Sequence, residues 1–267
     1  MDVFLFLLIM LAFLSVGRTV TGKIWLLSFN SRTEAFIFSS TLGSIIASVM
    51  VTSLAFLGQV SSLSCGTILA ILLASGLGFL NDFRKWKLKI SLVLIPLSPL
   101  KTLTQIILGG LCFLSLSLAL VPAFATDALV YHLAVPKAYL EAGGIINLPN
   151  NIFSFYPQHI EMLYLLALAL GTDHLAQLTG LGIVFLLLIA LYQYYRQSGS
   201  ATYAILVPAL FLSTPTFFAI AYSAYVDLQA ATYTFMAFYA WENWRSRKQA
   251  GWFYLMTAFV GAALATK

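Results

Sequence analysis

Long apolar runs, separated by short polar junctions that hold most of the charge, constrain this chain more than any other feature. A helix needs about 20 apolar residues to cross the hydrocarbon core of a bilayer, and several runs approach or reach that length. Hydrophobic residues make up 61% of the chain and charged residues 9%, whereas soluble domains carry about 25% charged residues. That much apolar surface cannot be hidden from water, so the solvent is lipid. The expected fold class is all-α: a polytopic integral membrane helix bundle.

The runs place the spans. Val3–Gly17 is short for a crossing. Ala35–Gly58 and Val60–Leu80 are joined so tightly that they should form a helical hairpin. Thr102–Phe124, Leu175–Tyr195, Ala201–Ala221, Leu228–Trp244 and Gly251–Lys267 complete the set. Ile90–Leu100, broken by Pro96 and Pro99, is too short to span and reads as interfacial.

The net charge of +5 does not point to nucleic acid. The basic residues form clusters between spans rather than a face with interleaved aromatics, so nucleic acid is excluded as a partner. Arg18, Lys23 and Arg32 form one cluster, and the basic loop Asn81–Lys89 with Lys101 forms another. Arg196 marks a third, and Arg245, Arg247 and Lys248 form the last. Cytoplasmic loops carry such excess charge. All clusters fall on one side if Gln158–Gly171 is half-inserted or interfacial, and Asp127 and Asp227 then face the other side. Cys65 and Cys112 sit in apolar segments without metal-ligand spacing and read as small buried apolar residues.

The longest break in the apolar pattern is Thr126–Pro149. Asp127 stands at the end of a hydrophobic helix, in the place of an N-cap. Ala128–Glu141 reads as an amphipathic helix with Leu129, Leu133, Pro136 and Leu140 to one side, lying at the membrane surface and stopped by Gly143 and Gly144. Asp227 is a second acid where one apolar segment ends and another starts. Ionisable groups at such boundaries usually serve function.

These residues resemble a family. Asp127-Ala-Leu-Val-Tyr131, a helix, a glycine pair and Pro149 look like the first external loop of GT-C membrane glycosyltransferases. The likeness is to the branch of protein O-mannosyltransferases and the aminoarabinose transferase of lipid A. Phe155-Tyr156-Pro157, Leu212-Ser-Thr-Pro215, Tyr225-Val-Asp227-Leu228 and Thr266-Lys267 continue it in order, so the resemblance covers residues 102–267. Residues 1–101 then look like added membrane helices with a cytoplasmic basic loop. The chain stops where family members continue through further spans, so an N-terminal fragment is expected. Ala128 stands where the family usually has Glu, and Val130 where some members have Arg.

The resemblance implies transfer of a sugar from a polyprenyl-phosphate donor to an acceptor glycan, lipid or protein. It places the reaction on the non-cytoplasmic side, in a bacterial inner membrane with the site facing the periplasm or exterior. Asp127 would be the general base of an inverting single displacement, with Asp227 as second catalytic acid. Tyr131, His132 and Lys267 would bind substrate, Lys267 holding the phosphate. Whether Asp127 and Asp227 share a divalent metal ion stays open.

Plainer readings stand beside these. Asp127 and Asp227 also suit helix caps, and His132 a polar interfacial residue. His159 and His174 carry weaker signals still. Glu161 and Asp173 are expected to face headgroups or cap helices, and the tyrosines, Tyr131 included, to form an aromatic belt. The alternative function is a transporter or flippase for a lipid-linked or polar substrate; a scaffold without an active site is a third.

Overall fold

The computed structural model describes residues 1–79, 99–199 and 203–267, and the regular structure among them is entirely helical. The expected basic loop Asn81–Lys89, and nearly all of the expected interfacial piece after it, lie outside the described residues.

Helix α1 (Asp2–Thr19) runs on through a wide π-turn, Val20–Ile24, so the first apolar element is longer than expected. Helix α2 (Arg32–Phe56) starts on Ser31, whose hydroxyl accepts from the Glu34 amide. The two helices nearly touch. A Cβ on Gly17 would stand 1.7 Å from the Ser39 carbonyl oxygen, and one on Gly43 1.8 Å from that of Phe13. Small residues let backbones meet this closely where lipid gives helices no hydrophobic drive to associate. The buried stripe Ser39, Ser40, Gly43, Ser44, Ala47 and Ser48 is therefore the packing face of α2.

Helix α3 (Ser62–Ser75) opens with a Ser61–Ser64 capping box and tightens into a 3-10 turn at Gly76–Phe79. It is shorter than the expected Val60–Leu80 span. Helix α4 (Pro99–Leu118) is only 11% buried over its most apolar window and turns most of its surface outward. The loop helix α5 (Ala134–Ala142) and α6 (His159–Leu170) lead to α7 (Asp173–Ser198), which runs the length of the bundle. Among the described residues, four segments are long and apolar enough to cross a membrane: Asp2–Ile24, Arg32–Phe56, Pro99–Leu118 and Asp173–Gln197.

One expectation is corrected. The run Ala201–Ala221 is not one span; its described part forms α8 (Leu206–Ser213) and α9 (Pro215–Ala221). Thr214 between them is extended at ψ 120°, because the residue before a proline is pushed out of the helical region. Gln158–Gly171, expected to be half-inserted or interfacial, forms a short helix enclosed by the bundle. Nearly every residue of α6 is buried, and it packs against α2, α5 and α7.

Helix α10 (Asp227–Arg247) and α11 (Ala250–Thr266) form a tightly packed antiparallel pair. With them the bundle acquires two chemically distinct ends. At one end Asp2 meets Thr172, the Ala123 amide donates to Asp173, and Asp227 meets Lys267. At the other, Glu34, Gln193, Gln197 and Arg247 converge. The expected separation of the acidic positions from the described basic clusters is thus built into the fold.

Candidate functional site

The site grows from how the long loop is held. After α5, Gly143 adopts φ +75° and ends the helix, the left-handed conformation that glycine reaches without strain. Its carbonyl accepts from the Val60 amide at 2.8 Å, and the Ile145 amide donates to Ala55 at 3.0 Å. A Cβ on Gly144 would stand 2.8 Å from the Gly58 Cα. The glycine pair therefore docks the loop onto the α2–α3 turn as well as ending the helix. Asn151 fastens the other side, donating from Nδ2 to the Val130 carbonyl at 2.9 Å.

Held this way, Ala128–His132 winds into a single π-turn closed by the Leu133 amide on the Ala128 carbonyl. Widened turns of this kind are frequent at functional sites. Asp127 is not a cap: its backbone is helical and no amide donates to its side chain. Its carboxylate accepts instead from the Tyr131 hydroxyl at 3.1 Å, because i and i+4 share one side of the turn. The buried face of the loop is the expected one in part, since Leu133 and Pro136 belong to it. His132, Leu133, Val135, Pro136 and Tyr139 turn inward, while Leu129 is exposed.

His132, 3% exposed, places Nδ1 2.7 Å from Oε1 of Glu161 on α6. Glu161 was expected at headgroups; it is buried, and its second oxygen has no hydrogen-bond partner. The two residues are distant in sequence, so their pairing could not be read there. A signal existed nonetheless: an acid inside the apolar run HIEMLYLLALAL is costly unless it serves something. His159 is likewise buried, against Ser48 of α2. Asp173 does not cap α7. Thr172 does, accepting from the His174 amide, while Asp173 accepts from Ala123.

The second acid arrives with α10. Asp227 opens that helix and pairs with Lys267 just beyond α11. Tyr225 lies two residues before it, its ring 5.8 Å from that of His132 and its carbonyl accepting from the Tyr164 hydroxyl. Tyr131 stacks on Phe153 at 4.2 Å, and Phe153 meets Tyr156 edge-on. These rings make an aromatic wall beside the cluster, with Tyr156 at the surface.

One group senses the whole cluster. Burial first, and then the carboxylates of Asp127, Asp227 and Glu161, push the Tyr131 hydroxyl well above the ordinary tyrosine range. It therefore stays a neutral donor at physiological pH. The expected residues Asp127, Tyr131, His132, Asp227 and Lys267 thus gather at one end of the bundle, with Glu161 as the member that had been placed elsewhere. For a metal the fit is poor: among the described residues no group of three or more His, Cys, Asp or Glu is arranged to hold an ion. Asp127 and Asp227 are turned to Tyr131 and Lys267.

Such a set can accept a proton, orient an imidazole and present a cation to an anionic group. No protein-family model, curated protein or solved structure matches the chain.

Proposed function

We propose that this chain is a membrane glycosyltransferase of GT-C type. It would move a sugar from a polyprenyl-phosphate donor to an acceptor hydroxyl or amine on the non-cytoplasmic side. The observation that carries this reading is the convergence of Asp127–Tyr131, His132–Glu161 and Asp227–Lys267 at the end of the bundle away from the described basic clusters. Residues 102–267 form the core of the site under this reading, and the earlier helices brace it.

The chemistry follows from the groups. The acceptor oxygen or nitrogen attacks the anomeric carbon as its proton passes to the Asp127 carboxylate. The bond from that carbon to the phosphate oxygen breaks, the polyprenyl phosphate leaves with the electron pair, and the configuration inverts. The Tyr131 hydroxyl holds Asp127 in one orientation. Lys267 is 64% exposed and its partner Asp227 38%, and exposed ion pairs contribute only about 0–1 kcal/mol. Lys267 is thus free to turn to a phosphate as a point charge. Glu161 fixes the tautomer and tilt of His132.

The break between α8 and α9 is the feature that favours the alternative, since discontinuous helices build transporter sites. One experiment separates the two readings. Asp127→Asn keeps shape and loses basicity, so transfer of labelled sugar from a polyprenyl-phosphate donor in proteoliposomes should fall about 10²–10⁴-fold. Donor binding should survive. Full transfer in the variant removes Asp127 as base, and loss of uptake with the substrate chemically untouched supports the transporter.

Sidedness has its own test. In a background lacking Cys65 and Cys112, a cysteine at exposed Lys137 should react with an impermeant reagent from outside, and one at Arg245 only after permeabilisation. The opposite pattern reverses the orientation.

A further inference from the structure

Beside the acidic cluster, and sharing its aromatic wall through Tyr156, lies a cavity of 630 Å³. It is bounded by α2, the segment between α5 and α6, the start of α6 and the end of α11. His159 lines it and is 9% exposed. The Ser48 hydroxyl lies 3.0 Å from His159 Nδ1 and donates its proton to the His159 carbonyl at 2.6 Å. A hydroxyl has one proton to give, so it meets the ring as an acceptor and Nδ1 carries the ring hydrogen. Nε2 is then a bare lone pair, and it is buried without a hydrogen-bond partner.

Three more hydroxyls of the wall have the same bias, and Gln158, Tyr139 and Tyr156 bring N–H and O–H groups beside them. Thr52 and Ser53 give their protons to the Ser48 and Val49 carbonyls, and Ser154 gives its own to Asn151. Each oxygen keeps lone pairs and has no proton left to donate. Among the described lining residues none is Lys, Arg, Asp or Glu. An anion would find no cation there, and an ammonium group no counter-charge. Several hydroxyl donors on an uncharged ligand match such a wall, with Tyr139 and Tyr156 offering ring faces. At the rim, Val49 and Phe56 of α2 are 55% and 75% exposed, an apolar exit on a helix long and apolar enough to cross a membrane.

We propose that this cavity binds the neutral, polyhydroxylated headgroup of a lipid-like amphiphile. His159 Nε2, which has almost no open surface in this structure, accepts a hydrogen bond from a ligand hydroxyl as the side chain shifts toward the cavity, and the tail leaves past Val49 and Phe56. Only the further step of naming that ligand the sugar acceptor rests on the transferase reading.

The chain holds three histidines, so nitrogen-15 histidine labelling in phosphatidylcholine vesicles gives few signals, and single His132→Gln and His174→Gln variants identify those of His159 by elimination. Octyl glucoside below its micellar concentration should shift the Nε2 resonance saturably. Its tetra-O-methyl derivative, which is bulkier and has no hydroxyl donors, should bind at least about 3- to 10-fold more weakly, the worth of one hydrogen bond. Methyl glucoside, lacking the tail, should be weaker than octyl glucoside.

His159→Phe should weaken capture of a diazirine-bearing octyl glucoside by the same 3- to 10-fold. Should that variant not fold, the ligand pair on the unaltered protein still decides. Equal binding of the methylated and parent glucosides, or an unmoved Nε2 resonance at saturation, overturns the site. Methyl glucoside binding as tightly as octyl glucoside overturns the lipid-like tail. Absent glucoside binding with Asp127-dependent transfer intact sinks the cavity assignment alone; intact binding without transfer sinks the transferase reading alone.

Discussion

The two ends of the bundle handle buried acids in opposite ways. At the basic end Glu34 is fully buried, and both its oxygens are occupied. The Asn30 amide, Tyr239, Asn243 and a bridging Arg247 all donate to it. Arg247 lies over the Trp252 ring at 4.7 Å and also donates to the Ser28 carbonyl. At the loop end Glu161 has one oxygen on His132 and the other on nothing, and Asp227 pairs with an exposed lysine. A buried charge with every lone pair answered ties helices together. One with a lone pair to spare is placed for a ligand or a proton.

The contrast can be broken by making the same acid-to-amide change at each end. Glu34→Gln removes one partner of a buried ion pair and strands Arg247, at a cost of about 3–5 kcal/mol in stability. Unfolding in detergent should show it, with turnover of the folded fraction unchanged. If the unfolding midpoint does not move, Glu34 is not the structural acid described here.

Glu161→Gln should do the reverse. With no cation to strand, its unfolding midpoint should stay close to that of the unaltered protein. Loss of the charge that orients His132 should cut turnover about 10- to 100-fold, the scale seen when a carboxylate orienting a histidine is lost. A stability loss matching that of Glu34→Gln, with turnover intact, would erase the distinction between the ends.

Tyr131→Phe sharpens the picture within the site. One hydrogen bond to Asp127 is lost, worth about 1 kcal/mol or roughly a five-fold drop in turnover, while the ring still stacks on Phe153. A drop as large as that of Asp127→Asn would make Tyr131 itself a reacting group. The smallest effect is expected at the exposed pair: Asp227→Asn should alter stability by about 0–1 kcal/mol. A larger loss would mean that the Asp227–Lys267 bridge holds α10 to α11, and unfolding in detergent with and without added salt would reveal it.

What the sequence determined by itself was the class and the punctuation. So few charges in so apolar a chain pointed to helices of membrane-spanning length, and the Arg and Lys clusters marked junctions between them. Some short-range devices were also legible, because they depend on near neighbours: Gly143 as a helix stop, Asp127 and Tyr131 four residues apart; the break at Pro215 was passed over inside one apolar run. Even there local reading erred, taking Asp127 for a cap when its carboxylate prefers the Tyr131 hydroxyl. Tertiary structure alone decided which acids pair with what. Glu34 with Arg247, His132 with Glu161 and Ser48 with His159 join helices far apart along the chain. No helical period encodes a partner on another helix; close glycine contacts, as at Gly17 and Gly43, determine which faces meet and so which polar groups are left with each other.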